Sequence, residues 1–516
     1  MKILKQSLLI AMALVAFQSC ENDDDGQNAT TTVDTSVNFQ FKNTITIGGE
    51  GSAEISAFDP VSKKLFTVNT ESNQIAIYDI TDITLPIQKA PIDVSGFGAP
   101  NSVAVHNGKL AIAIEASNKQ AAGKIAVYNT EDVSLLNEYT VGALPDMVTF
   151  TKDGNYILSA NEGEPNDDYT VDPDGTISII DVVNNTVTTL DFAAFNSQEA
   201  TLENQGFRVF GPNANLAADV EPEYITVSED SQYAWVSLQE NNGIAKINLL
   251  TKTIEAIYPL GFKDYSISGN AIDASDKDDV NELKNWPVYG MYQPDAITAV
   301  NINGIEYIFS ANEGDAREYE GTPGYVGEDR VKDVTLDATA FPTSEDYQAD
   351  ANIGRLKMAL DIGDTDNDGD YDKIYNYGAR SFSVWSADGN LLYDSGNEIA
   401  TRVLADTPNR FNWDWEDNET DNRSDDKGAE PESVEILNIA NQRYILFVGL
   451  ERNSQVMVYD ITNPVAPQFL QFLQRDTDYA PEGLLAIKAE DSPTGKALLI
   501  ISYEDSGTVS IYENEN

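Results

Sequence analysis

Histidine and cysteine are almost missing from this 516-residue chain, with one of each, His106 and Cys20. A single His excludes a His-rich zinc centre and argues against a Ser-His-Asp triad or a His general base, either of which would have to rest on His106. His106 itself, in the AVHNG turn, reads as a hairpin residue. A single Cys excludes an internal disulfide. Basic side chains are scarce too: 32 Lys and Arg face 85 Asp and Glu, for a formal charge of −53. That imbalance argues against nucleic acid and anionic membrane surfaces as partners, and for cations or basic ligands. The leading apolar run, about a dozen residues, is too short to cross a bilayer.

That run belongs to MKILKQSLLIAMALVAFQSC, with lysines, an apolar stretch and a small residue before Cys20. Residues 1–19 resemble a bacterial lipoprotein signal peptide, which implies cleavage before Cys20 and lipid on its sulfur. Phe17 departs from the usual Leu, and a plain secretory signal is the alternative. Residues 20–36 begin with the acidic run ENDDDG and read as a flexible tether. An acidic run after a lipidated Cys is similar to surface-export signals of Bacteroidota lipoproteins. The expected location is therefore the outer membrane or cell surface, with residues 37–516 as the folded domain.

What the chain does have is a repeat. Its first part is a strand opened by Pro and an acid: Pro145-Asp146, Pro222-Glu223, Pro294-Asp295, Pro431-Glu432, Pro481-Glu482, with Pro100-Asn101 as a variant and Glu54 in a first copy lacking Pro. The second is an apolar strand running into Glu, as in YILSANE, YIFSANE and LLIISYE. The third is an alternating strand such as QIAIYDI or QVMVYDI, rich in β-branched residues. Spacings of about 45 to 50 residues suit four-stranded blades. The fold class expected is all-β, a seven-bladed β-propeller with long acidic loop insertions. FQFKNTITI, near the start, would supply the outer strand of the last copy and close the ring. The alternative is an open stack of sheets.

Insertions near 190–219, 262–292, 315–377 and 390–428 carry the sharpest local chemistry. Asp364, Asp366, Asp368, Asp370 and Asp372 alternate around Gly369, a spacing that converges oxygens on Ca²⁺. Tyr375 stands where an EF-hand has its bidentate Glu, so a shorter calcium loop is expected, with a solvated acidic turn as the alternative. Asp146, Glu162, Glu223, Asp295, Glu313, Glu432 and Glu482 would gather at one mouth of the ring. Carboxylates so close need cations or Arg partners. They could hold divalent metal, or be turn residues balanced by Arg317, Arg355, Arg380 and Arg452. Lys427 and Arg423, before the sixth copy, could bind an anion through a metal or form a charged loop.

Several stretches resemble the choice-of-anchor I proteins: GFKDYSISGNAIDASDKDD, WPVYGMYQPDAI, SANEGDAREY, IGRL, GDTDNDGDYDKIYNYGARSFSVW, RSDDKGAEPE, GLERNSQVMVYDITNPVAP and the C-terminal run from APEGLLAIKAED. Ala429 and Tyr503-Glu504-Asp505 depart from that pattern. The resemblance implies a secreted propeller held at the cell surface, with relatives among biomineral-associated surface glycoproteins and proteins labelled alkaline phosphatase. Two functions follow as expectations. One is a monomeric, non-enzymatic calcium-binding surface propeller that takes a ligand at its acidic face. The other is a metal-dependent phosphoesterase in which carboxylate-bound cations activate water, with Arg317, Arg380 and Lys427 contacting phosphate.

Overall fold

Each copy of the repeat folds as an antiparallel meander. In the computed structural model the described residues are 34–516 apart from Asn213, Glu320, Pro323 and Asn516. The leader, Cys20 and nearly all of the tether lie outside them. Thr35–Asn516 forms one compact unit. The described residues are chiefly strand, and seven of their sheets have four or more strands. The sequence pattern explains the layering within a sheet. TISIID at Thr176–Asp181 is covered on both faces, so Ile177, Ile179 and Ile180 are fully buried. Its outer neighbour Thr186–Leu190 is mostly exposed, with only Leu190 buried. Burying each such Ile stabilises the fold by about 1.5–3 kcal/mol relative to exposure.

In four copies the Pro begins the first strand of its sheet and breaks the ladder there, whereas Pro222 and Pro294 precede Ile225–Val227 and Ile297–Ile302. Register shifts follow Pro100, Pro145, Pro431 and Pro481. Proline has no N–H to give the ladder, so the next residue is left outside the pairing as a bulge. In three of these copies that residue is an acid: Asp146, Glu432 or Glu482.

First strands of successive sheets pack side by side in chain order: Ser56–Asp59, Pro100–His106, Pro145–Phe150, Ile225–Val227, Ile297–Ile302, Pro431–Ile439 and Pro481–Ile487. The last of them packs against the first. Phe39–Thr46 pairs antiparallel with Thr508–Asn514, as the outer strand of the sheet that contains Pro481–Ile487. This is the arrangement of a β-propeller.

The insertions fold as well as loop. Val288–Met291 pairs in parallel with Ile374–Asn376 and joins two of them into one small sheet. A separate core of Tyr265, Val288, Val331, Ile353, Met358 and Ile374 lies beneath it. His106 stacks on Phe150, with ring centroids 5.7 Å apart, in the packing role expected of a hairpin residue. Among the described residues no helix is long and apolar enough to cross a membrane.

Candidate functional site

Three of the acids that follow a proline reach one cavity. Asp146, Asp295 and Glu482, together with Glu54, Glu435, Glu504 and Tyr224, line a cavity of about 740 Å³ bounded by the first strands. Lys119 and Lys152 also line it. Burial, with neighbouring acids second, pushes Asp146 up to about 6 and Asp295 to about 8. Glu482 is driven well above the carboxylate range for the same reasons.

A second set of acids stands at the ends of second strands. Asn161 and Asn312 finish Tyr156–Asn161 and Ile305–Asn312, and both are wholly buried. Asn161 Nδ2 donates to Ser178 Oγ at 3.0 Å, and Asn312 Nδ2 to Ser383 Oγ at 2.8 Å. These bonds tie each strand end to its neighbour. The glycines that follow, Gly163 and Gly314, have φ of +77° and +88°. At Gly314 a Cβ would meet Gly378 N at 2.0 Å, so only glycine fits. Between Asn and Gly, Glu162 and Glu313 are thus held by rigid backbone.

Around Glu313 the charges are paired internally. Lys427 Nζ donates to Glu313 Oε1 at 2.7 Å and lies 3.4 Å from Glu430 and 3.6 Å from Asp315. Gln239 Nε2 donates to the other Glu313 oxygen at 2.8 Å. Glu430 is fully buried and also takes Arg423 at 2.7 Å and Arg452 at 3.3 Å. Burial alone would raise its pKa, but Lys427, Arg423 and Arg452 together hold it well below the usual range. Glu432 and Glu451 complete this group, with oxygens of Glu313, Glu432 and Glu451 within 4.8 Å of one another. Burial, then Glu313 and Glu482, drive Glu432 well up.

Next to it lies a second group, reached through the dipeptide Gln239-Glu240. Oxygens of Glu162, Glu221 and Glu240 come within 4.8 Å of one another. Arg317 lies beside them, with NH2 2.8 Å from Glu221 and NH1 2.9 Å from Asp219. Its guanidinium covers the Phe210 ring at 4.6 Å. The Glu223 and Glu240 carboxyls are buried, and Oε2 of each has no hydrogen-bond partner. Burial first, then Glu240 and Glu162, raise Glu223 well above its ordinary value.

The chain belongs to the choice-of-anchor I family. Its domain model matches residues 54–464. Gigasin-3a of Magallana gigas is 30% identical over 188 residues, covering 32% of this chain and 66% of that protein, so the chain spans just under two thirds of that relative. Among solved structures, Kuenenia stuttgartiensis hydrazine synthase superposes with a TM-score of 0.49 at 10% identity, over 91% of this chain and 97% of its own. The β-propeller domain of Myceliophteria thermophila Cps50 (Swd1) gives 0.46 at 7%, over 92% and 99%.

The remaining acids and bases of this choice-of-anchor I chain fall in other places. In the aspartate loop, oxygens of Asp364, Asp366 and Asp372 lie within 4.8 Å of one another, without Asp368 and Asp370 in that group. Asp364 accepts from the N–H groups of Asp368 and Gly369, and Asp372 from that of Thr365. Arg380 gives its NH1 and NH2 donors to carbonyls of Asp273, Ser424 and Asp426, which binds two insertions together. Arg355 pairs with Asp276 and Asp425. Sequence reasoning missed Glu221, Glu240, Glu430 and Glu451. Glu240 and Glu451 end YAWVSLQE and YILFVGLE, the same strand-into-Glu phrase that marked Glu162 and Glu313.

Proposed function

We propose that this choice-of-anchor I chain is a cell-surface, seven-bladed propeller, lipidated at Cys20, that binds calcium and takes a ligand at its acidic face. The first strands packed in one cycle and the Phe39–Thr46 pairing support a closed seven-bladed ring. The observation that carries the binding reading is the buried assembly of carboxylates around the axis, with more negative charge than its Lys and Arg neighbours offset. Buried carboxylates in that number are stable only when protonated or paired with cations. Hard oxygen donors without His or Cys suit Ca²⁺. The Asp364–Asp372 loop is a second calcium position in this reading, one that orders its insertion. Calorimetric titration of the mature chain with Ca²⁺, and melting with and without chelator, test it. A calcium-dependent rise in Tm is expected. Absence of both binding and shift would remove the proposal.

One observation favours a second reading, a metal-dependent phosphoesterase. Two carboxylate groups share Gln239-Glu240, and an ammonium, Lys427, sits over one of them. Two-metal hydrolysis uses such paired acids. Against it, the terminal nitrogens of Arg317 and Arg380 and the Lys427 ammonium are engaged with protein oxygens. Calcium-dependent turnover of a phosphomonoester or phosphodiester, lost in Glu313→Gln with Glu432→Gln, would decide for it.

A further inference from the structure

Three carboxylates, Glu162, Glu221 and Glu240, meet where the sheet of Pro145–Phe150 adjoins the sheet of Ile225–Val227, and Glu223 lies beside Glu240. Glu162 follows the second strand of one sheet, Tyr156–Asn161. Glu240 stands two residues past the second strand of the other, Tyr233–Leu238. Glu221 and Glu223 flank Pro222 on the way into Ile225–Val227. The nearest cation is Arg317, and both of its terminal nitrogens are already engaged. NH1 donates to Asp219 Oδ1 at 2.9 Å, and NH2 to the Asp219 carbonyl at 2.8 Å beside Glu221. Asp219 and Glu221 between them match the guanidinium charge and exceed it. Among the described residues, Glu162, Glu223 and Glu240 make no salt bridge to Lys or Arg.

The independent sign of a ligand is the pair of unpartnered atoms. Glu240 is 6% exposed and Glu223 8%, and Oε2 of each has neither donor nor acceptor. A buried charged acceptor without a partner costs several kcal/mol. One shared proton could relieve Glu223 and Glu240, which lie within hydrogen-bonding reach of each other. It would leave Glu162 facing Glu221 and Glu240. A single divalent cation among Glu162, Glu221 and Glu240, with Glu223 turning to it from beside Glu240, answers them together.

We propose that Glu162, Glu221, Glu223 and Glu240 form a calcium centre that clamps these two adjacent sheets, with Arg317 positioning Glu221. Calcium accepts six to eight oxygens from mono- or bidentate carboxylates, whereas magnesium keeps several waters and takes one or two carboxylates. Four protein carboxylates are therefore a calcium set. This deepens the cation-binding reading above and rests on it.

The test is calorimetric titration of the mature chain with Ca²⁺ in an Asp366→Asn, Asp368→Asn background, which silences the aspartate loop. Glu240→Gln and Glu223→Gln are then added one at a time. Expected is the loss of one bound Ca²⁺, or an affinity at least about tenfold weaker. The metal-free Tm should stay equal or rise, which shows that the variants fold. Wild-type stoichiometry and affinity in both variants would overturn this centre while leaving calcium binding elsewhere intact. No calcium binding by the unmutated chain would overturn the wider reading as well. Tighter binding of Mg²⁺ than Ca²⁺ would overturn the choice of ion.

Discussion

Glu313 and Glu240 come from the same phrase of consecutive repeats, yet they sit in opposite electrostatic settings. Around Glu313, Lys427 reaches in from an insertion 114 residues along the chain and supplies the cation covalently. Around Glu240, the guanidinium of Arg317 is committed to Asp219 and Glu221. In one group the chain's own Lys427 pairs with Glu313, although Glu432 and Glu451 beside it stay raised. In the other, Glu240 makes no salt bridge to a Lys or Arg among the described residues. Similar backbone scaffolds thus place one Glu within reach of a lysine from a distant insertion and leave another without one.

The harshest way to break this comparison is to remove Lys427. Its pKa is held well above normal by Glu313, Glu430 and Asp315, against the opposing effect of burial. Lys427→Met should destabilise the protein by about 3–5 kcal/mol, because it leaves carboxylates buried without their counter-ion. Denaturant unfolding would measure this. Lys427→Ala, which leaves room, should regain part of its loss in excess Ca²⁺, converting the first group into a copy of the second. A loss unaffected by calcium in the alanine variant would break the parallel.

Next in size is a pair of isosteric changes with opposite signs. Glu313→Gln removes a charge-assisted bond to Lys427 and should cost about 1–3 kcal/mol in chelator. Glu240→Gln removes a like charge and should be neutral or mildly stabilising in chelator, but should reduce stabilisation by calcium. Equal losses from both in chelator would mean that Glu240 has a partner as good as Lys427.

The pH dependence sharpens the comparison further. Burial first, then neighbouring acids, raise Glu54 and Glu451 from 4.5 to about 8, and burial raises Glu435 to about 7. Between 4.5 and 8 the folded chain holds protons that the unfolded chain has released. Stability in chelator should therefore fall as pH rises through that window. Calcium should flatten the fall, since a bound cation favours the ionised carboxylates. A flat Tm profile in chelator would show these acids ionised without added metal.

How much of this was legible depends on how local its cause is. The inner strands announced themselves because each Pro-acid bulge has a reason within two residues: proline cannot pair, and the next side chain is turned out of the ladder. The strand-into-Glu phrase was equally local, and applied to every copy it would have found Glu240 and Glu451. Glu221 carried no such mark. Its place is set by Arg317, 96 residues later, and that of Glu313 by Lys427 across another insertion. Nor did the insertions advertise the core of Tyr265, Ile353 and Met358, whose apolar residues are dispersed among acids and glycines. Arg380, expected at the phosphate, binds backbone carbonyls, a role with no signature in residue type.

The smallest effect should come from the exposed aspartate loop. Asp366 is raised mainly by Asp368, then by slight burial and by Asp372 and Asp364, so acidic neighbours repel it as they do Glu223. Water, however, screens this repulsion and leaves no buried charge to relieve. Asp366→Asn with Asp368→Asn should thus remove one weak calcium step from the titration and lower the calcium-dependent rise in Tm only slightly. Most of the rise should persist, because the axial carboxylates are the ones whose charges are out of water. Differential scanning calorimetry in calcium and in chelator separates the contributions. If the loop variant loses nearly the whole rise, the stabilising ion is in the loop, and the buried carboxylates around Glu240 are held by shared protons.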